Sequence, residues 1–413
     1  MKKVLVLSYH DHPADGHAMS RYKAIKEKGY DACFLSLISL PGINKTNSFL
    51  DKDNKYTILY FWYIIKLVFS RLLKKRRLGA EEYCFFNYSN FYAKNAAQIL
   101  KKSIPNPDVI IFGWCDFFIS PKTIADLYHL TKAKIVIPMV DAHILAGGCH
   151  YPCTCNQYKT GCKSCPALKS TSVAKRLYDE KLKYLSEVPF VLAGTSYDLK
   201  RAQEVPFLKN KEMLPIVGAP EIPFVKNKID ARKIFGIAED DFVILCGSVS
   251  LSSKRKGFQY FIDSINSFGK SILDKRKVTL LLPGDNNYEI DIKHPNISII
   301  TPGFLQLEQL FNAYYASDIF ISPSIDDSGP YMVNYSIACG TPVISFPIGV
   351  ALDLVQHRKT GYIANYMDSE DMANGINEFY LKSHDELDII RNNCLNLMEK
   401  YKKITPWYFK VLE

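Results

Sequence analysis

Short apolar runs, each followed by a helical pattern, recur along this chain in two series, and this recurrence constrains the fold more than any other feature. Buried runs separated by helices cannot pair through tight hairpins. They need crossover connections, which give parallel sheets covered on both faces. The first series predicts strands over 3–8, 31–37, 108–113, 134–140 and 189–194, with helices over 19–28, stopped by Gly29, and 121–130. The second predicts strands over 242–247, 277–283, 297–301, 318–322 and 342–346, with helices over 257–268, 307–316, 330–339 and 369–380. Between them Pro206, Pro215, Gly218, Pro220 and Pro223 crowd together, the composition of a connection between domains. A length of 413 residues also suits two domains. The expected division is an N-terminal domain 1–214, a C-terminal domain 215–395 and a terminal helical segment 396–413 that packs back on the first. Two doubly wound α/β domains in one chain are expected to face a cleft, with ligands outside the carboxyl ends of the strands.

Composition excludes several classes. With 47% apolar and 23% charged residues the chain is neither disordered nor collagen-like nor a coiled coil. Its net charge of +10 is clustered: 52–77 carries eight basic residues against one acidic, among Tyr56, Tyr60, Phe61, Trp62, Tyr63 and Phe69. The apolar run 58–65 is far shorter than the ~20 residues that span a bilayer. Two readings remain for this segment, a helix drawn to an anionic membrane surface and a partly buried helix with a solvated basic face. The apolar run after Met1 is too short for a signal peptide, and six of the eleven cysteines are scattered singly. Both features point to a reducing, cytoplasmic setting.

Three segments of the second series converge on an anionic ligand. After the strand ending at Gly247, residues 248–257 form a loop of small residues with Lys254, Arg255 and Lys256 at a helix start, a combination suited to phosphate. Taken alone, such a loop is more often merely solvated. Residues 323–330 (PSIDDSGP) place Asp326 and Asp327 beside Gly329 at another helix start, where carboxylates accept hydrogen bonds from sugar hydroxyls. Helix capping by Asp327 or Ser328 is the plainer alternative. The third segment, 338–344 with Gly349 and the 359–362 turn, reads as scaffold.

In this order and spacing the segments resemble the GT-B glycosyltransferases, and within them the large retaining family 4. The resemblance covers nearly the whole chain from Gly16 to the helix after Ser369 and is most specific from Lys256 to Gly361. It implies a GT-B fold of two Rossmann-like domains, a diphosphate held at Lys256-Gly257, and a Glu-x7-Glu motif whose first acid falls on Asp327. The second acid falls on Tyr335, and the usual arginine after the first strand of the domain falls on Ser248. Arg255 is the natural substitute cation, and Asn334 or Tyr335 is placed to meet the nucleoside. The donor-side set is therefore Gly16, Ser248, Arg255, Lys256, Asp327, Ser328, Gly329, Pro330, Asn334 and Tyr335. Relatives carry a His-Asp pair where this chain has Val140-Asp141, so Asp141, with His143 nearby, is the local candidate to touch the donor sugar.

Five cysteines fall within 149–165, spaced C-x3-C-x-C-x6-C-x2-C. Four soft ligands at tetrahedral reach suit zinc, with Cys149, Cys155, Cys162 and Cys165 as the set and Cys153 or His150 as competitors. Paired disulfides and unligated thiols are the alternatives. The block also looks like a cysteine-rich insertion of some family 4 enzymes, of bacterial surface-polysaccharide type, that shapes the acceptor side.

The resemblance implies transfer of a sugar, with retention, from a nucleotide-diphosphate donor to a glycan or lipid-linked glycan acceptor, with no metal or other cofactor at the chemistry. Two rivals stand beside it. One is a GT-B epimerase or phosphorylase; the other is a zinc-bearing nucleic-acid-binding module. The basic cluster lies some seventy residues from the cysteines, which argues against nucleic acid as a partner.

Overall fold

The computed structural model describes residues 1–11, 18–39, 47–51, 61, 65, 68, 84–85, 93–249, 251–270, 272, 276–285, 288–292, 294–329 and 331–413. Gly16, Pro330 and all of 52–77 except Phe61, Ile65 and Val68 lie outside the described residues. The chain forms two compact units.

Unit 1 comprises Met1–Gly194, Asp198–Ile216 and Thr405–Glu413. Its strands are β1 (Lys3–His10), β2 (Asp31–Ser39), β3 (Asn47–Asp51), β4 (Cys84–Phe85), β5 (Val109–Phe112), β6 (Lys134–Pro138), β7 (Cys149–Tyr151), β8 (Phe190–Gly194) and β9 (Glu212–Pro215). Seven of them make a parallel sheet in the order β3-β2-β1-β5-β6-β8-β9, and β4 pairs antiparallel with β7. Alternation along β1 sorts the two faces. Leu5 and Leu7 enter one core with Ile110, Phe112 and Ile135, while Val4 and Val6 enter another with Ala18, Met19 and Ile25 of the helix Ala18–Glu27.

The terminal segment also belongs to unit 1. Val411 and Leu412 are buried with Val4 and Val6, and Lys2 Nζ donates to the carbonyls of Leu412 at 2.6 Å and Glu413 at 2.8 Å. The guanidinium of Arg21 lies 4.9 Å from the Trp407 ring centre. The helix before it, His384–Lys402, begins with a capping box at Ser383 and Glu386 and buries Leu387, Ile390, Cys394 and Met398 in the core of unit 2. The crossing into unit 1 therefore falls at Thr405, not at 396 as the sequence suggests. The other division falls after Ile216, because the proline-rich stretch read as a connection contributes β9 at the sheet edge, where Pro215 is tolerated.

Unit 2 comprises Thr195–Tyr197 and Val217–Ile404. Its strands β10 (Phe242–Leu245), β11 (Val278–Leu281), β12 (Ile297–Ile300), β13 (Ile319–Ser322), β14 (Val343–Ser345) and β15 (Gly361–Ile363) form a parallel sheet in the order β12-β11-β10-β13-β14-β15. The helix Phe258–Gly269 buries Phe258, Phe261, Ile262, Ile265 and Phe268, an i, i+3, i+4, i+7 stripe. Burial of each such side chain stabilises by about 1.5–3 kcal/mol. In both sheets the strand order reverses beside the first strand, between β1 and β5 in unit 1 and between β10 and β13 in unit 2. These are the switch points at which ligand-binding loops diverge.

Candidate functional site

At the switch point of unit 2 the loops leaving β10 and β13 are stitched together. Gly257 adopts φ +67°, and a Cβ there would lie 1.9 Å from the Pro323 carbonyl oxygen, so only glycine lets the two backbones touch. Ile325 N donates to the Arg255 carbonyl at 2.8 Å across the same seam. This contact sets the short turn Lys254–Lys256 against Asp327, although 71 residues separate Lys256 from it. Lys256 Nζ donates to Asp327 Oδ2 at 2.6 Å and Arg255 Nη1 to the same oxygen at 2.9 Å. Burial opposes ionisation of Asp327, but the charges and hydrogen bonds of Lys256 and Arg255 hold its carboxyl below the usual range. The two cations meet at one carboxylate oxygen, and both stay partly exposed. The arrangement can take up an anion by exchanging carboxylate for phosphate oxygens.

The other donor-side candidates divide. Ser328 is buried beside Asp327, whereas Gly329 is exposed, and a Cβ on it would meet no atom of the described residues within 4 Å apart from its chain neighbours. Open space there is available to a ligand. Ser248 makes an isolated bridge to Gly284, a backbone role. Asn334, expected at the nucleoside, is buried and donates its amide to the Gly218 carbonyl at 2.6 Å, so it anchors the chain entering unit 2. Tyr335 packs edge-on against Phe311 and Tyr331, with ring centres 5.3 and 4.9 Å away. Its half-buried ring replaces an acid with aromatic packing, and burial pushes the phenol up to about 12.

The carboxyl end of the sheet in unit 1 carries a second constellation. His150 is buried, with Nδ1 at 2.6 Å from Asp141 Oδ2 and Nε2 at 2.9 Å from Asp116 Oδ2. Burial alone would lower its pKa, but Asp141 and Asp116 push it up to about 10, which makes it an imidazolium bracketed by two carboxylates. Burial likewise opposes ionisation of Asp116, yet His143, His150 and Lys181 hold it down at about 2. Lys181 is buried and donates to the carbonyls of His143 and Ala146; burial lowers it to about 8. Asp141, expected to reach the donor sugar, is instead buried, accepting from His150 and from the His143 backbone N–H at 2.8 Å. His143 stacks on His150 with ring centres 4.8 Å apart, and its Nε2 has no hydrogen-bond partner. Burial and Lys181 lower its pKa to about 3, so its imidazole is neutral. A cavity of about 90 Å³ lies beside the group, lined by Trp114, Asp116, Ile124, His143, Ile144 and Lys181 among others.

Ligand atoms of Asp116, His143 and His150 gather within 4.8 Å of one another. Both nitrogens of His150 are already committed to carboxylates, and a protonated imidazole has no lone pair for a cation. Sequence reasoning missed Asp116, His150 and Lys181 as a functional group. One signal was legible. Lys181 sits on the apolar stripe Ala174, Leu177, Tyr178, Leu185 of the helix Ser172–Leu185, and a lysine on a buried stripe needs partners.

The cysteine block folds beside this group. Cys149, Cys155, Cys162 and Cys165 line one small cavity. The Cys149 thiol lowers Cys165 to about 7 against its burial. Cys153 points away, toward the Tyr151 carbonyl at 3.8 Å. Apart from Cys84, whose side chain lies outside the described residues, the cysteines are free thiols.

Comparison with known proteins fits this geometry. Residues 240–381, which hold Arg255, Lys256 and Asp327, match the family described as "Glycosyl transferases group 1". An uncharacterized glycosyltransferase of Methanocaldococcus jannaschii is 22% identical over 183 residues, 42% of this chain and 45% of that protein. The sulfoquinovosyl transferase of Arabidopsis thaliana is 28% identical over 138 residues, 32% of this chain and 27% of that protein. The chain thus matches less than half the length of either curated relative. Among solved structures, the sucrose-phosphate synthase of Thermosynechococcus elongatus aligns with a TM-score of 0.58 and 13% identity, covering 100% of this chain and 97% of that one. Anabaena HepE in complex with UDP-glucose aligns with a TM-score of 0.58 and 14% identity, covering 100% and 99%. These structural likenesses concern the fold, which is α/β of the GT-B type with two parallel-sheet units.

Proposed function

We propose that the chain is a glycosyltransferase that takes a sugar from a nucleoside-diphosphate donor. The observation that carries this reading is the convergence of Arg255 and Lys256 on Asp327 at the β10/β13 switch point, inside the segment matched to the glycosyl transferases group 1 family. The donor diphosphate displaces the carboxylate from the two cations, which then neutralise the charge that builds on the leaving group. Asp327, released from them, accepts hydrogen bonds from the sugar hydroxyls. Transfer proceeds with retention, the diphosphate leaving and the acceptor hydroxyl attacking on one face. Unit 1 supplies the acceptor side, for a glycan or lipid-linked glycan of a cell-surface polysaccharide. No helix among the described residues is long and apolar enough to cross a membrane. Phe61, Ile65 and Val68 are helical, exposed and spaced i, i+4, i+7, which supports peripheral contact of the basic 52–77 segment with an anionic membrane.

The test is a screen of sugar nucleotides, UDP-glucose first because neighbouring structures hold it. Donor-dependent nucleotide release with a glycan acceptor is expected, with kcat/KM lowered by about 10²-fold in Lys256→Ala. Absence of release from every donor, with donor binding unaltered in that variant, overturns the reading. Conversion of the donor without acceptor would point to an epimerase.

A further inference from the structure

We propose that Cys149, Cys155, Cys162 and Cys165 bind one zinc ion as four thiolates, and that this ion fixes the loop holding His150 between Asp116 and Asp141. The structure selects these four from the six nearby candidates. They line a common cavity whose free space, about 10 Å³, is close to what one small ion or water occupies. Cys153 faces a backbone carbonyl instead, and His150 has both ring nitrogens on carboxylates.

Backbone geometry around the sulfurs supplies a second observation. Gly147 N–H is directed at Cys162, with 3.2 Å between N and S. A neutral thiol is a weak acceptor, whereas a thiolate on a metal carries the charge that such donors stabilise. Gly147 is held in place because a Cβ there would lie 2.0 Å from the Ala174 carbonyl oxygen, so the loop rests against the helix Ser172–Leu185. Binding at about 2.3 Å per Zn–S bond releases the thiol protons. An all-sulfur tetrahedral set selects zinc or iron over harder ions.

The link to the charged group is covalent. Cys149 precedes His150 on β7, and Ala142 N donates to the His150 carbonyl at 2.9 Å, next to Asp141. Fixing Cys149 thus limits how far His150 can leave its carboxylates. Zinc binding here is independent of donor chemistry, so it stands or falls apart from the transferase reading.

The experiment is metal analysis of the full chain purified under reducing conditions without added metal. About one zinc per chain is expected, falling at least tenfold in Cys162→Ser and in Cys165→Ser and staying unchanged in Cys153→Ser and His143→Ala. Because a cysteine variant can fail to fold, the wild-type chain is also treated with an organomercurial. One zinc per chain should then appear on a chromogenic chelator, and cobalt in its place should give thiolate charge-transfer and tetrahedral absorption bands. Four freely titrating thiols with no metal, a mass deficit that marks disulfides, iron in place of zinc, or zinc that survives the cysteine changes but is lost in His143→Ala would each overturn the proposal.

Discussion

In unit 1 the charges at the carboxyl end of the sheet are buried and balanced, with Asp116 and Asp141 matched by His150 and Lys181. In unit 2 Arg255 and Lys256 share one carboxylate and keep part of their surface in water. The carboxyl ends of the two sheets thus carry two designs. A closed, neutral network holds loops in place and gains little from an incoming charge, whereas one whose cations stay partly in water can be completed by an anion. The contrast separates holding from binding within one fold type.

The largest effect should come from His150→Ala, which leaves two buried carboxylates without the imidazolium between them and with Lys181 as the nearby cation. A loss of about 3–5 kcal/mol of unfolding free energy is expected, read as a lowered denaturant midpoint, against less than about 1 kcal/mol for Lys256→Ala, whose partly exposed ion pair water can replace. Equal midpoints in the two variants would break the comparison. Gly257→Ala comes next. Its left-handed backbone and the Pro323 contact should cost about 2 kcal/mol or more and abolish donor binding, because the two loops part; a structure with the Arg255 to Asp327 pair intact would contradict this.

Acid should sharpen the comparison. The folded chain holds Asp116 at about 2, below its unfolded range, so as pH falls the unfolded carboxyl takes up its proton first. The stability it contributes, on the order of 2 kcal/mol, is fully present above about pH 4 and is lost as pH falls toward about 2. Asp327 acts in the same direction. Asp116→Asn should flatten the acid limb of a stability-against-pH curve more than Asp327→Asn, and the reverse order would mean that the open centre carries the structural load. The smallest change in stability belongs to Gly329→Ala, within about 0.5 kcal/mol, because a Cβ there meets no atom of the described residues beyond its chain neighbours. Donor affinity should nevertheless fall by about tenfold, read by titration calorimetry; unchanged affinity would place the ligand elsewhere.

Much of the scaffold is legible along the chain, because a buried parallel strand is a continuous apolar run and its following helix is an amphipathic stripe. The helices Leu307–Ala316 and Ser369–Tyr380 fall on their expected residues for that reason. Edge strands are not legible in the same way. β3 and β9 are partly solvated and take polar residues and Pro215, so the latter hides in a stretch that reads as a connection. In the candidate site, Arg255, Lys256 and Asp327 stand out by residue type beside glycine turns. Asn334 and Tyr335 do not declare that they serve Gly218 and an aromatic cluster, since a hydrogen-bonding side chain looks the same whether its partner is ligand or backbone.

By itself the sequence determined the α/β alternation, the two-part organisation and the residue types able to hold an anion, because hydrophobic period and turn chemistry are local properties. Only the tertiary structure decided that one carboxylate gathers both cations, that His150 is an imidazolium between Asp116 and Asp141, and which four cysteines share a cavity. Those outcomes depend on strand order and on close backbone approach at Gly257 and Gly147, which bring together groups far apart along the chain.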